Sequence, residues 1–291
     1  MSPNTRAALF MMTSMAAFTL NDTFIKLTGG AVPLFQLVTL RGVLASLLIY
    51  LLARRLGAIK LSLSRSDWVL VAIRALSETG ATYFFLTALF NMPLANVTAV
   101  LQVLPLTVTL GAALFFGEKV GWQRLSAIAL GFSGMLLIVR PGPDGFSLYS
   151  IYALAAVACV TLRDLVTRRM SADVPSMTVT LISSLSVLGF ATIASTQDQW
   201  VSLDWPTAGL IVLSAVFIIG GYLFSILVMR GGDVSFSAPF RYSGLVWALV
   251  LGWLFFDHWP DPVTMAGAVI VVASGLFALY RERALKRAGR R

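Results

Sequence analysis

Charge, cysteine and histidine are all scarce in this 291-residue chain. Charged residues make up 12% of it, about half the share usual in soluble domains. The one cysteine, Cys159, excludes an internal disulfide, and the one histidine, His258, argues against a histidine-rich metal site. No Walker-type phosphate loop and no G-x-S-x-G elbow occurs, and no polar stretch is long enough for a catalytic domain. These absences exclude a single-chain ATP-driven pump and call for no cofactor.

What the chain has instead is apolar residues, 58% of the total, with a mean hydropathy of +0.84. A soluble fold of this size cannot hide so much apolar surface. Spans of roughly 20 residues each account for most of the chain. Hydropathy places ten, at Ala7–Leu27, Leu34–Leu52, Trp68–Phe90, Leu94–Phe116, Trp122–Val139, Leu148–Thr167, Pro175–Ser195, Pro206–Met229, Ser235–Phe256 and Val263–Tyr280. Gly29-Gly30, Asn91-Met92-Pro93, Pro141-Gly142-Pro143 and Gly231-Gly232-Asp233 supply turns between them. The expected fold is an all-α integral membrane protein, with the lipid bilayer as its surroundings.

The net charge of +9 is distributed unevenly. With the N-terminus placed inside, sixteen Lys and Arg residues fall on the inner side and only Arg140 on the outer; Lys26, Arg41, Arg74, Arg163 and Arg241 lie within spans. This bias puts both termini in the cytoplasm. It also makes the basic tail a topology anchor facing an anionic leaflet, not a nucleic-acid arm.

The two halves of the chain match each other. Thr19-Leu20-Asn21-Asp22 through Lys26 aligns with Thr161-Leu162-Arg163-Asp164 through Arg168, and Val32-Pro33 with Val174-Pro175, both at an offset of 142. Tyr83-x-Phe85 aligns with Tyr222-x-Phe224, and Leu114-Phe115-Phe116 with Leu254-Phe255-Phe256. Each half carries five spans, an odd number, so the second copy enters from the opposite side. An inverted repeat of this kind is the architecture of secondary transporters that alternate access around a midplane site.

With these motifs the chain resembles the drug/metabolite transporter superfamily, as two EamA-type repeats at 5–140 and 147–281 followed by the basic tail 282–291. The resemblance rests on the Thr19–Lys26 segment and on Phe116-Gly117-Glu118 followed by Ala127 and Gly134, mirrored by Phe256-Asp257-His258, Gly267 and Ser274-Gly275. His258 stands where the superfamily usually has Glu. The resemblance implies a carrier of a small-molecule substrate in a bacterial inner membrane, most similar to exporters of amino acids and related metabolites. A nucleotide-sugar or drug carrier is the alternative within the superfamily. An intramembrane enzyme acting on a lipid-like substrate is the alternative outside it.

Ionisable groups inside spans are the first candidates for function. Asp22 with Lys26, and Asp164 with Arg168, read as matched gate pairs at opposite mouths, or as helix-end pairs whose cations reach the interface. Glu78 is the deepest acid, with Arg74 one turn away, and either binds a substrate ammonium or pairs with that arginine. Arg241 offers a planar fork for a carboxylate or pairs with an acid elsewhere; Arg41 has the same choice and reaches toward Asp22. A shared cavity between Glu78 and Arg241 is expected, with Gln102, Tyr83, Tyr222, Tyr242 and Trp247 as lining. Pro105 is expected to break or kink the fourth span. Gly131, Ser133, Gly134, Gly267, Ser274 and Gly275 make small-residue faces suited to close helix packing or a homodimer contact.

The topology has a direct test. A cysteine introduced at Arg283 should react with a membrane-impermeant thiol reagent only after the cytoplasmic side is opened; labelling in intact cells overturns the assignment.

Overall fold

The computed structural model describes residues 3–55, 59–117, 121–140, 147–171, 173–231 and 237–288. Glu118, the Pro141-Gly142-Pro143 break and the Gly232-Asp233 turn lie outside them. The spans are α1 (Pro3–Leu27), α2 (Leu34–Arg55), α3 (Arg65–Asn91), α4a (Leu94–Leu101) with α4b (Leu104–Phe116), α5 (Trp122–Val139), α6 (Leu148–Arg169), α7 (Ser176–Ala194), α8 (Trp205–Gly231), α9 (Ser243–Phe256) and α10 (Pro262–Ala288). Nine stretches among the described residues are long and apolar enough to cross a membrane, α4a–α4b counting as one. The shorter α5 supplies the tenth through its apolar Leu125–Val139 stretch. The chain is an all-α membrane protein of two inverted five-helix repeats.

Helix ends follow local chemistry. Ser64 caps α3 by accepting from the Asp67 amide at 3.0 Å, while its hydroxyl donates to the Asp67 carboxylate at 2.8 Å. This extends the helix back to Arg65, beyond the hydropathy-based start. The equivalent helices α4b and α9 both end on a left-handed residue, Gly117 at φ 67° and Asp257 at φ 48°. α10 continues through residue 288, so the first part of the basic tail is a continuation of the last helix and not a separate segment.

Two spans are interrupted. The fourth breaks at Gln102-Val103, just before Pro105, whose ring nitrogen has no hydrogen to donate. The ninth opens with a 3-10 turn, Ala238–Tyr242, containing Pro239. The breaks face each other: a Cβ placed on Gly244 would lie 3.6 Å from Gln102 Nε2.

The helix pairing has the symmetry of the repeat. α1 packs on α8 as α6 packs on α3, α1 on α9 as α6 on α4, and α2 on α8 as α7 on α3. Three further pairs, α2 with α7, α4 with α9 and α5 with α10, map onto themselves. Many Ser and Thr hydroxyls in these spans, including those of Thr13, Thr23, Ser77, Thr87 and Thr180, donate to the carbonyl four residues earlier. Such side chains are satisfied within their own helix and mark no cavity.

The small residues of α5 and α10 serve each other. A Cβ on Gly134 would lie 2.8 Å from the Gly267 carbonyl oxygen, and one on Gly267 would lie 2.6 Å from that of Gly134. These glycines, suited from the sequence to close packing or to a dimer contact, are taken up inside the chain. At the far end of the same pair, Asp261 caps α10 by accepting from the Val263 and Thr264 amides and from the Thr264 hydroxyl, and it is paired with Arg140. Desolvation opposes its ionisation, but the bonds from Thr264 and Arg140 prevail and hold this carboxyl at about 2. The one cation on that side of the topology therefore has a structural partner.

Gly267→Ala should cost about 1–3 kcal/mol through overpacking, read as a lowered unfolding temperature in detergent. Gly189→Ala, where an added Cβ meets nothing within 4 Å, should leave that temperature unchanged or raise it.

Candidate functional site

Hydrogen bonds that leave their own helix identify where polarity is used between spans. They converge where α3, α6 and α7 meet. Arg163 on α6 donates through Nη1 to Glu78 Oε2 on α3 at 3.2 Å, and through Nε and Nη2 to Asp164 Oδ1 at 2.9 Å. Arg74, one turn before Glu78, donates through Nε to Thr167 Oγ1 at 2.9 Å and through Nη1 to Ser183 Oγ on α7 at 2.6 Å. Tyr222 on α8 lies within electrostatic range of Glu78, Arg163, Arg74 and Arg41.

Glu78 lies about 20 Å along α3 from Arg65, near the middle of a helix of about 40 Å. Its side chain is 15% exposed, that of Arg163 22% and that of Asp164 28%. Charged groups at this depth, incompletely buried, require a wet cavity or a partner because hydrocarbon solvates neither. One guanidinium here serves two carboxylates. The second, Arg74, has hydroxyl partners and no carboxylate within ion-pair distance among the described residues.

A second polar set lies toward the other face. Arg41 on α2 is 8% exposed and donates through Nη1 to Asn21 Oδ1 at 3.1 Å; Asn21 Nδ2 in turn donates to Asp22 Oδ1 at 2.8 Å. Arg41 Nε is buried without a partner among the described residues. At the repeat offset of 142, Asn21 corresponds to Arg163, Asp22 to Asp164 and Arg41 to Ser183. Each repeat thus sets one guanidinium beside its aspartate region. In the first half it arrives from the second helix, and in the second half from the residue before the aspartate.

The structure rearranges the sequence-based pairs. Lys26 does not bridge to Asp22; its ammonium donates to the Leu89 and Met92 carbonyls at 2.6 and 2.8 Å, at the end of α3. Those carbonyls have no helical partner ahead of them, so a cation is favoured there. Asp164 closes on Arg163, its neighbour, while Arg168 lies in the exposed last turn of α6. Asp22 and Asp164 still sit at matching depths from opposite faces, each five residues before its helix end. Glu78 takes Arg163 rather than Arg74, because Arg74 is drawn to the α6 and α7 hydroxyls.

Neither of the two cavities described below joins Glu78 to Arg241. Arg241 is exposed on the 3-10 turn that opens the ninth span and makes no ion pair with Glu78. Tyr242 is 5% exposed, and its hydroxyl fills the space left by Gly275, where a Cβ would lie 1.6 Å from it. It belongs to the packing of the 3-10 turn on α10. Trp247 is 39% exposed on α9 and makes no ring contact among the described residues. Gln102 sits at the α4 break beside Gly244. Tyr83 lies in an aromatic cluster, stacked on Phe35 at 5.9 Å, with Phe190 at 6.5 Å and Tyr152 at 6.1 Å. Beside it Phe35, Tyr83 and Phe190 leave a cavity of only about 10 Å³, the room of one water. Of the expected lining residues, Tyr222 joins the charged centre together with Glu78.

Arg163, Thr167 and Ser183 were not singled out from the sequence, and Arg74 was considered only as a partner for Glu78. Arg163 carried a signal: it precedes the repeated aspartate at the place where the first half has Asn21. Ser183 carried none, since a serine in an apolar span is usually satisfied by its own helix.

A ten-span bundle, repeated in opposite orientation around intramembrane charge, has the architecture of an integral membrane carrier. The chain belongs to the EamA-like transporter family, whose profile matches residues 5–140 and 147–280. It is 28% identical over 289 residues to the pseudopaline exporter CntI of Pseudomonas aeruginosa, covering 94% of this chain and 96% of that protein. It is 24% identical to an S-adenosylmethionine uptake transporter of Rickettsia prowazekii, over 94% of this chain and 92% of that one. A riboflavin transporter of Rhizobium johnstonii is 26% identical over 68% of this chain and 66% of its own. A solved crystal structure superposes with a TM-score of 0.65 over 96% of this chain and 98% of its own at 20% identity, a likeness of fold. These relatives are transporters and lend no support to the intramembrane-enzyme alternative.

Removing the shared guanidinium should be costly. Arg163→Gln leaves two carboxylates unpaired and should destabilise the protein by about 3–5 kcal/mol. The Arg163→Gln/Glu78→Gln double variant should recover part of that loss in thermal unfolding. No recovery would mean that Glu78 and Arg163 are not coupled.

Proposed function

We propose that this protein is a secondary carrier that exports small amphiphilic zwitterions, amino acids or related metabolites, across a bacterial inner membrane by alternating access. The observation that carries this reading is the unequal pairing of the central charges. Arg163 is committed to Asp164 and Glu78, whereas Arg74 bonds two neutral hydroxyls through Nε and Nη1 and has Nη2 left to donate. A carboxylate retains acceptor capacity beyond a single arginine contact. Arg74 and Glu78 therefore present a positive and a negative pole one helical turn apart on one face of α3. A zwitterion, itself neutral, can match both poles without carrying net charge into the bilayer.

Arg74 takes the place that the sequence assigned to Arg241: it receives the carboxylate, and Glu78 receives the ammonium. Tyr222, edge-on to Phe18 at 5.3 Å, borders the centre on the α8 side. Asp22 and Asp164, at matching depths, serve as the polar gate positions, with Arg41 and Arg163 as their cations. Lys26 and Arg168 secure helix ends beside them. Export follows the resemblance to the pseudopaline exporter over nearly the whole chain. The S-adenosylmethionine and riboflavin relatives favour a second reading, a carrier for a substrate with a flat heterocyclic body.

Proteoliposome flux tests the reading. Arg74→Gln should reduce transport of L-phenylalanine by about 10- to 100-fold, the worth of a hydrogen bond to a charged group. It should spare 2-phenylethylamine, which lacks the carboxylate. Equal loss of both would assign Arg74 to folding, and absence of flux in the unaltered protein would overturn transport of this class.

A further inference from the structure

The largest cavity described lies away from the charged centre. It measures about 290 Å³, is open on one side, and is lined by Lys26 near the end of α1, the Phe90–Leu94 turn between α3 and α4a, and Gly252, Phe256 and His258 around the end of α9. Phe90 is about 18 Å along α3 from Glu78, so this is a separate place, at the mouth opposite the chain termini. We propose that it is a second binding site, a vestibule for a small amphiphilic carboxylate.

Three observations point to that ligand. First, Lys26 is a cation with no counter-ion among the described residues. Its ammonium has three donors, of which two go to the Leu89 and Met92 carbonyls; no carboxylate lines the cavity, and Asp22, one turn earlier, is held by Asn21. The third donor is available to an incoming anion. Second, His258 also lines the cavity, and its Nδ1 is buried without a partner among the described residues. That nitrogen carries no bond in the free protein, and a turn of the ring toward the cavity lets its N–H tautomer donate to a ligand oxygen. The matching residue of the first repeat is Glu118, so the imidazole belongs to this mouth alone. Third, apart from Asn91 the rest of the wall is apolar: Phe90, Met92, Pro93, Leu94 and Phe256, with the Phe256 ring 5.7 Å from the Lys26 ammonium. A volume close to 300 Å³ is at the small end of ligand pockets and suits one aromatic or branched side chain bearing one carboxylate. The Lys26 ammonium takes one carboxylate oxygen, His258 bonds the other, and the two phenylalanines hold the body.

Direct binding is the test, since it does not depend on transport. The probe is 3-phenylpropionate, titrated by calorimetry into the purified full chain in phosphatidylcholine nanodiscs. Saturable binding is expected, with none for 2-phenylethylamine. Gly252→Leu should weaken it at least tenfold, because a Cβ at residue 252 meets only the His258 carbonyl oxygen, at 3.6 Å, and the larger side chain can fill the cavity. His258→Phe should weaken it as well, so that misfolding of one variant does not decide the outcome. Unchanged binding in both well-folded variants, or no saturable binding at all, overturns the site. So does loss of binding in Arg74→Gln with retention in Gly252→Leu, which would put the probe in the central cluster. Displacement of the probe by phosphatidylglycerol, but not phosphatidylcholine, would make the cavity a lipid-phosphate site and overturn the proposal.

Discussion

Arg163 holds two carboxylates from two helices near the middle of the membrane, and the surrounding architecture is arranged so that this is tolerable. An arginine at that depth costs about 2.5–3.5 kcal/mol on insertion scales, and a carboxylate is no easier to desolvate. At that depth Glu78 and Asp164 both require a partner, and the guanidinium between them supplies it. Meeting that requirement fixes α3 against α6, and Arg74 extends the contact through Thr167 and Ser183 to α7. At the termini side of the same interface, Asp67 accepts from the Ser171 amide and hydroxyl. The α3–α6 pair is thereby tied at two levels, and α1–α8, its partner under the repeat, is tied by close packing of Gly221 on Phe18 and by Ser14 donating to the Gly221 carbonyl.

The repeat is followed closely by the backbone and loosely by the charges. Helix pairing maps onto itself when the halves are exchanged, and the interrupted fourth and ninth spans meet at Gln102 and Gly244. The side chains depart from symmetry where chemistry is concentrated. Asn21 and Arg41 in one half answer to Arg163 and Ser183 in the other. Tyr83 is enclosed by Phe35, Phe190 and Tyr152, while its counterpart Tyr222 borders the charged centre. The backbone is even between the two halves, and the set of charges is not.

Apolar composition, the spacing of turns and the sidedness of Lys and Arg were enough to place ten spans in two opposed sets of five. Backbone groups in hydrocarbon have few ways to be satisfied, so hydropathy alone restricts the answer to helices of known length. Proline and glycine placed the interruption at Pro105, because a missing N–H acts within one turn. The membership of the charged centre was not decided at that level. Glu78 with Arg74, Asp22 with Lys26 and Asp164 with Arg168 are all spaced to pair on one helix face, yet each found a different partner. An intrahelical pair contributes only about 0.2–0.5 kcal/mol, and a carboxylate, hydroxyl or helix-end carbonyl from a neighbouring span outweighs it. Which neighbour is within reach depends on helix crossings and rotations, and these arise from packing such as Gly134 on Gly267 and Tyr242 on Gly275. The sequence by itself determined how many times the chain crosses and in which order; the tertiary structure alone decided which charges meet, because side chains distant along the chain compete for the same few bonds at close range.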